Sequence, residues 1–165
     1  MATDTTAHPS SDTASAAPSA EAATPAVILS QLYAANSAEI QLSQLAEKNA
    51  SSLSVKRIAA KLASDHVKSR EAERALAQKL DVSLPVLPSD TSSVSSDLQG
   101  KTGRDFDQAF VEHEIKGHDD NIHKLQTQLL PAASNPEVKA YLHNALTMMQ
   151  GHLASLKQVR QQLRS

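Results

Sequence analysis

From Val138 to Leu163 the apolar residues recur at steps of three and four: Val138, Leu142, Ala145, Met149, then Leu156, Val159 and Leu163. That period gathers all of them on one face of an α-helix, whereas on a strand it would scatter them over both sides. His152 fills the step between Met149 and Leu156. A helix with one apolar face must bury that face against other elements, and the rest of the chain supplies three of the same kind.

The first runs over about 26–50, with Pro25 suited to its opening turn and Ile28, Leu32, Ala35, Glu39, Leu42, Ala46 and Asn49 along one stripe. Ser51 or Ser52 can cap a second helix, about 53–80, striped by Val55, Ala59, Leu62, His66, Ser69, Glu73, Leu76 and Leu80. So short a junction makes the first two helices antiparallel neighbours. A third helix over about 104–130 aligns Val111, Ile115, His118, Ile122, Leu125 and Leu129, with Phe106 and Phe110 at its start and Pro131 helping to end it. Asn135, Pro136 and Glu137 then read as N-cap, first helical residue and dipole-matched carboxylate of the fourth helix, about 136–163.

Residues 81–103 hold Pro85, Pro88, Gly100 and Gly103 among many serines, and read as a long connection with one short helical turn near 90–98. About 22 extended residues reach roughly 70 Å, whereas a 28-residue helix is about 42 Å long. The connection can therefore return along the bundle, which predicts an all-α, ferritin-like four-helix bundle with a crossover between its second and third helices. Residues 1–25 are nearly all Ala, Ser, Thr and Pro, and read as a disordered tether ahead of one domain over 26–165.

Composition narrows the function classes. A net charge of −2 with no run of Lys and Arg gives nucleic acid no stripe to follow. Without cysteine there is no disulfide, thiolate metal site or cysteine nucleophile, so a bound metal would need nitrogen and oxygen ligands. No apolar run approaches the roughly 18 residues of a membrane span, and the opening Met1-Ala2-Thr3-Asp4 lacks the basic and apolar regions of a secretion signal.

Ala38-Glu39-Ile40 with Gln44-Leu45-Ala46, Val55-Lys56 leading to Ser64-Asp65-His66, and Leu84-Pro85 form an ordered series of motifs. It continues with Gly103, Asp105-Phe106-Asp107, Phe110-Val111, Gly117-His118 and Gly151-His152-Leu153. In that series, over about 27–163, the chain resembles the bacterial family "domain of unknown function 4142". The resemblance implies a ferritin-like fold and a place in the cell envelope, periplasmic or secreted, and it lends no activity.

Glu39, His66, His118 and His152 each take an apolar position near the middle of one helix, so they are expected at one height in the bundle core. His113 and His123 lie about 140° around the helix from His118, and His143 about 180° from His152, so these face outward. His8 is in the tail. Glu39 reads as the only mid-height carboxylate on a core stripe, with Asp65, Ser69 and Glu73 as outer partners or an added ligand. Two readings stay open: one transition-metal ion (Zn, Fe, Mn, Ni or Cu) held by the four residues, or a metal-free hydrogen-bonded layer that sets helix register. Enzyme signatures are missing. No Glu is followed three places later by His on a core stripe, which the di-iron pattern needs. His113-Glu114 lacks the second His of a zinc-protease motif, and there is no phosphate loop or Gly-x-Ser-x-Gly turn. Met148 and Met149 read as core filler.

Overall fold

The computed structural model describes residues 23–87 and 96–165. Four long helices make up the bundle: α1 (Pro25–Asn49), α2 (Leu53–Lys79), α3 (Gly103–Lys124) and α4 (Pro136–Arg164). Past Lys124, α3 continues through a π-helical turn over Leu125–Leu129 and a last turn over Leu130–Ala132. The tether expected over 1–25 falls almost wholly outside the described residues, as does most of the turn expected near 90–98.

The helix starts follow from side-chain chemistry. Thr24 accepts from the Val27 amide and Asn135 from the amides of Glu137 and Val138, with Pro25 and Pro136 first in their helices. At α2 the expected serine cap gives way to a tertiary one. Ser52 stands at the N-cap, but it is buried Asp107, from α3, that accepts from the backbone N–H groups of Ser51 and Ser52 at 2.9 and 2.8 Å. The α2 end closes with Val82 N–H donating to the Ala77 carbonyl and Asp81 in the left-handed region at φ 53°.

Two apolar clusters fill the bundle ends. One joins Ala46, Val55, Leu62, Phe106, Phe110, Leu156 and Val159; the other joins Ile28, Leu125, Leu129, Val138, Leu142 and Met149. Each takes the late part of one helix with the early part of its neighbour, so α1 and α2 are antiparallel, as are α3 and α4. Helices α2 and α3 run in the same direction. Leu80 packs at one end of the bundle and Leu98 at the other. Between the clusters lies a band of polar side chains that includes Asn36, His66, Glu73, Glu114, His118 and His152, all buried.

The stripe of α4 has the predicted face, with Val138, Leu142, Ala145, Met149, His152, Leu156 and Val159 all buried. That of α1 is turned by about one residue. Tyr33, Asn36, Ser37, Ile40 and Ser43 are buried, while Leu32, Ala35, Glu39 and Leu42 are only half-buried and Asn49 is exposed. The cause is polar pairing: Asn36 turns inward to bond α2, and the rest of the helix face follows.

Candidate metal centre

His66 on α2, His118 on α3 and His152 on α4 meet at the level where the apolar clusters part. All three are at most 1% exposed. Their ring centroids are 5.3 to 5.9 Å apart, and one nitrogen from each ring lies within 4.8 Å of the others.

The outward nitrogens fix the tautomers. His118 Nδ1–H donates to the Glu114 carbonyl at 2.9 Å, since a carbonyl can only accept. His66 Nδ1 is 2.7 Å from Asn36 Oδ1, and that amide is oriented by its Nδ2, which donates to Glu73 at 2.9 Å; the His66 nitrogen therefore donates. His152 Nε2 lies 3.0 Å from Asp65 Oδ2. Desolvation pushes Asp65 up, but hydrogen bonds from Lys61 and His152 outweigh it and hold the carboxyl at about 2, so Asp65 is a carboxylate and His152 Nε2–H donates to it.

With the outer nitrogens carrying the protons, the inner ones carry lone pairs. His66 Nε2 has no hydrogen-bond partner, and His118 Nε2 and His152 Nδ1 face each other at 3.3 Å. Protonating His66 or His152 is unfavourable. Burial, reinforced by the neighbouring His152 and His118, brings His66 down to about 3, and burial also lowers His152. When the rings are neutral, three acceptors and no donor thus converge on one point.

A second group adjoins the first. Glu39 and Glu114 lie with His118 so that one ligand atom of each is within 4.8 Å of the others. Glu114 is 1% exposed. Burial, together with the charge of Glu39 beside it, pushes the Glu114 carboxyl well above its ordinary range. As carboxylates neither can donate, and Oε1 and Oε2 of Glu114 and Oε2 of Glu39 are then buried without a partner.

Outside the histidines runs a polar chain. Glu73 Oε1 accepts from Asn36 and from Tyr141, each at 2.9 Å, and Tyr141 meets Ser69 at 2.6 Å. Burial raises Glu73 to about 7 against the pull of those two hydrogen bonds. A cavity of about 50 Å³ lies alongside, bordered by His66, Glu39, Tyr141, Leu125 and Met149. That is room for one or two water molecules.

The structure brings His66, His118 and His152 together and sets Glu39 with Glu114 and His118. The expectation that Glu39 is the only mid-height carboxylate facing the core is corrected by Glu114 and Glu73, both more buried than Glu39. Glu114 was legible: it lies four residues before His118 and so shares its face. Of the expected outer partners, Asp65 bonds His152, while Ser69 and Glu73 belong to the Asn36 and Tyr141 chain. His123 and His143 are exposed, and His113 is half-exposed and paired with Asp97. Met149 packs in an apolar cluster with Met148 against it.

No helix among the described residues is long and apolar enough to cross a membrane. No curated protein and no solved structure matches the chain. A family model does, over residues 10–159, and the chain belongs to the family that it describes, Domain of unknown function (DUF4142).

Proposed function

We propose that this protein holds one transition-metal ion in its bundle core through His66 Nε2, His118 Nε2 and His152 Nδ1. The observation that carries this reading is the convergence of three buried lone pairs whose rings are all oriented by outer acceptors, the arrangement that metal-binding histidines use. In a tetrahedral site with metal–nitrogen bonds of about 2.0–2.1 Å, neighbouring nitrogens are about 3.3–3.4 Å apart. His118 and His152 already stand at 3.3 Å. Three neutral nitrogens suit Zn, and also Cu, Ni or Fe, better than Mn. Asp65 and the Glu39–Glu114 pair supply negative charge for the ion.

The depth of the layer and its water-sized cavity favour holding an ion over turning over a large substrate. Metal storage or sensing fits that geometry. A setting in the bacterial envelope rests on the family resemblance, and a part in stress is proposed together with the metal-holding role. Purified without a histidine tag and loaded with Zn²⁺, the protein is expected to retain one ion at the trihistidine position, and His66→Ala or His152→Ala to lose it. Wild-type protein that stays metal-free after loading with Zn, Cu, Ni, Fe and Mn in turn would overturn the reading.

The 3.3 Å contact between His118 and His152 also favours a second reading, a metal-free layer in which one shared proton bonds the two rings and Asp65 balances the charge. The lowered proton affinity of His152 weighs against it. In that case added Zn²⁺ leaves the melting temperature unchanged, and replacing all three histidines by Leu leaves the bundle folded and more stable.

A further inference from the structure

We infer that the Glu39–Glu114 carboxylate pair is a second cation position, adjoining the trihistidine position across His118, for an oxygen-preferring divalent ion such as Mn²⁺ or Fe²⁺. The inference deepens the metal-binding reading, since His118 borders both groups, with its Nε2 lone pair at the first and its Nδ1–H beside the second. Three observations carry it. Glu114 is 99% buried, and both its carboxylate oxygens, with one oxygen of Glu39, lack a hydrogen-bond partner, His118 Nδ1 standing 3.4 Å from Glu114 Oε2. Among the described residues no lysine or arginine forms an ion pair with either acid; the ion pairs of Lys61, Lys68, Lys79, Lys116, Arg160 and Arg164 all go elsewhere. Finally, the carboxylates come from different helices, α1 and α3, and converge with His118 to within 4.8 Å, which repulsion between two bare carboxylates would oppose.

A buried carboxylate pair with no protein cation is satisfied by one trapped proton or by a metal ion. The oxygen-rich set differs in kind from the all-nitrogen set beside it, so the two positions should sort ions by hardness.

The test uses the full chain, stripped with a chelator, loaded with Zn²⁺ and Mn²⁺ together, desalted and counted by elemental analysis, with Mn²⁺ affinity read by electron paramagnetic resonance. The expected result is one Zn and one Mn per chain. Glu114→Gln and Glu39→Gln should each keep Zn and weaken Mn²⁺ binding at least tenfold, and His66→Ala should lose Zn. Should Glu114→Gln fail to fold, half-buried Glu39→Gln carries the comparison. Zn retained with no Mn bound, or Mn binding unchanged in the glutamine variants, overturns the second position and leaves the first standing. Wild-type protein that takes neither ion overturns both.

Discussion

Asp65→Asn tests whether the outer partners set the tautomers of the histidine layer. Asp65 accepts from His152 at 3.0 Å and from Lys61 at 2.5 Å, and forms a looser ion pair with Lys68 at 3.6 Å. Lys61 and His152 share Asp65 Oδ2, and an asparagine oxygen in that place still accepts from both, but as a neutral group it no longer holds the ring proton on His152 Nε2. The proton is then free to sit on Nδ1, on the 3.3 Å line to His118 Nε2, where the metal-free layer gains a hydrogen bond and the metal position loses a lone pair. Loss of such an outer partner costs about 10–100-fold in metal affinity, or about 1.4–2.7 kcal/mol. Without metal, a neutral hydrogen bond worth about 0.5–1.5 kcal/mol replaces a charge-assisted one worth about 1.5–3 kcal/mol, so the net change is about 1 kcal/mol. With Zn²⁺ in excess the lost affinity appears in full, and the melting temperature should fall by about 4–10 °C relative to loaded wild type. The assays are a chelator-competition titration and calorimetry with and without Zn²⁺. Zn²⁺ affinity within twofold of wild type would refute the tautomer argument.

Three further outcomes follow from the packing. Glu73 is raised to about 7, so its contribution to stability is full below its unfolded value and is lost as pH rises through 7; metal-free Glu73→Gln should lack that decline, its melting curve diverging from wild type between pH 5 and 7.5, whereas parallel curves would count against a protonated Glu73. Asp107→Ala removes the acceptor for the Ser51 and Ser52 amides and should cost about 1–3 kcal/mol in urea unfolding. Asp81→Gly relieves a left-handed residue at the α2 end and should add about 0.5–1 kcal/mol by the same method, with a loss contradicting the assignment.

The bundle was legible because each helix carries its own period. Along α4 every residue of the stripe from Val138 to Val159 is buried, since an apolar side chain needs no particular partner to be driven inside. The three histidines were legible by the same counting, and five- and nine-residue offsets correctly set His113, His123 and His143 apart from them. Failures came where burial depends on a specific tertiary partner. Asn36 is inside because His66 and Glu73 receive it, and Asp107 because the start of α2 does. Neither partner is near in sequence. Glu114 was passed over for another reason: its four-residue offset from His118 was readable, but counting apolar residues skips an acid. The π-helical turn, where Leu130 N–H reaches back to the Leu125 carbonyl, has no apolar period of its own. It keeps Leu125, Leu129 and Ala133 together in one cluster.

The central claim is that three inner nitrogens form one metal position. Crystals of tag-free protein soaked with Zn²⁺ and measured at the zinc absorption edge test it most directly. An anomalous peak about 2.0–2.1 Å from His66 Nε2, His118 Nε2 and His152 Nδ1 is the predicted result. Anomalous peaks confined to the outward His113, His123 or His143, with none at the core position, would contradict it.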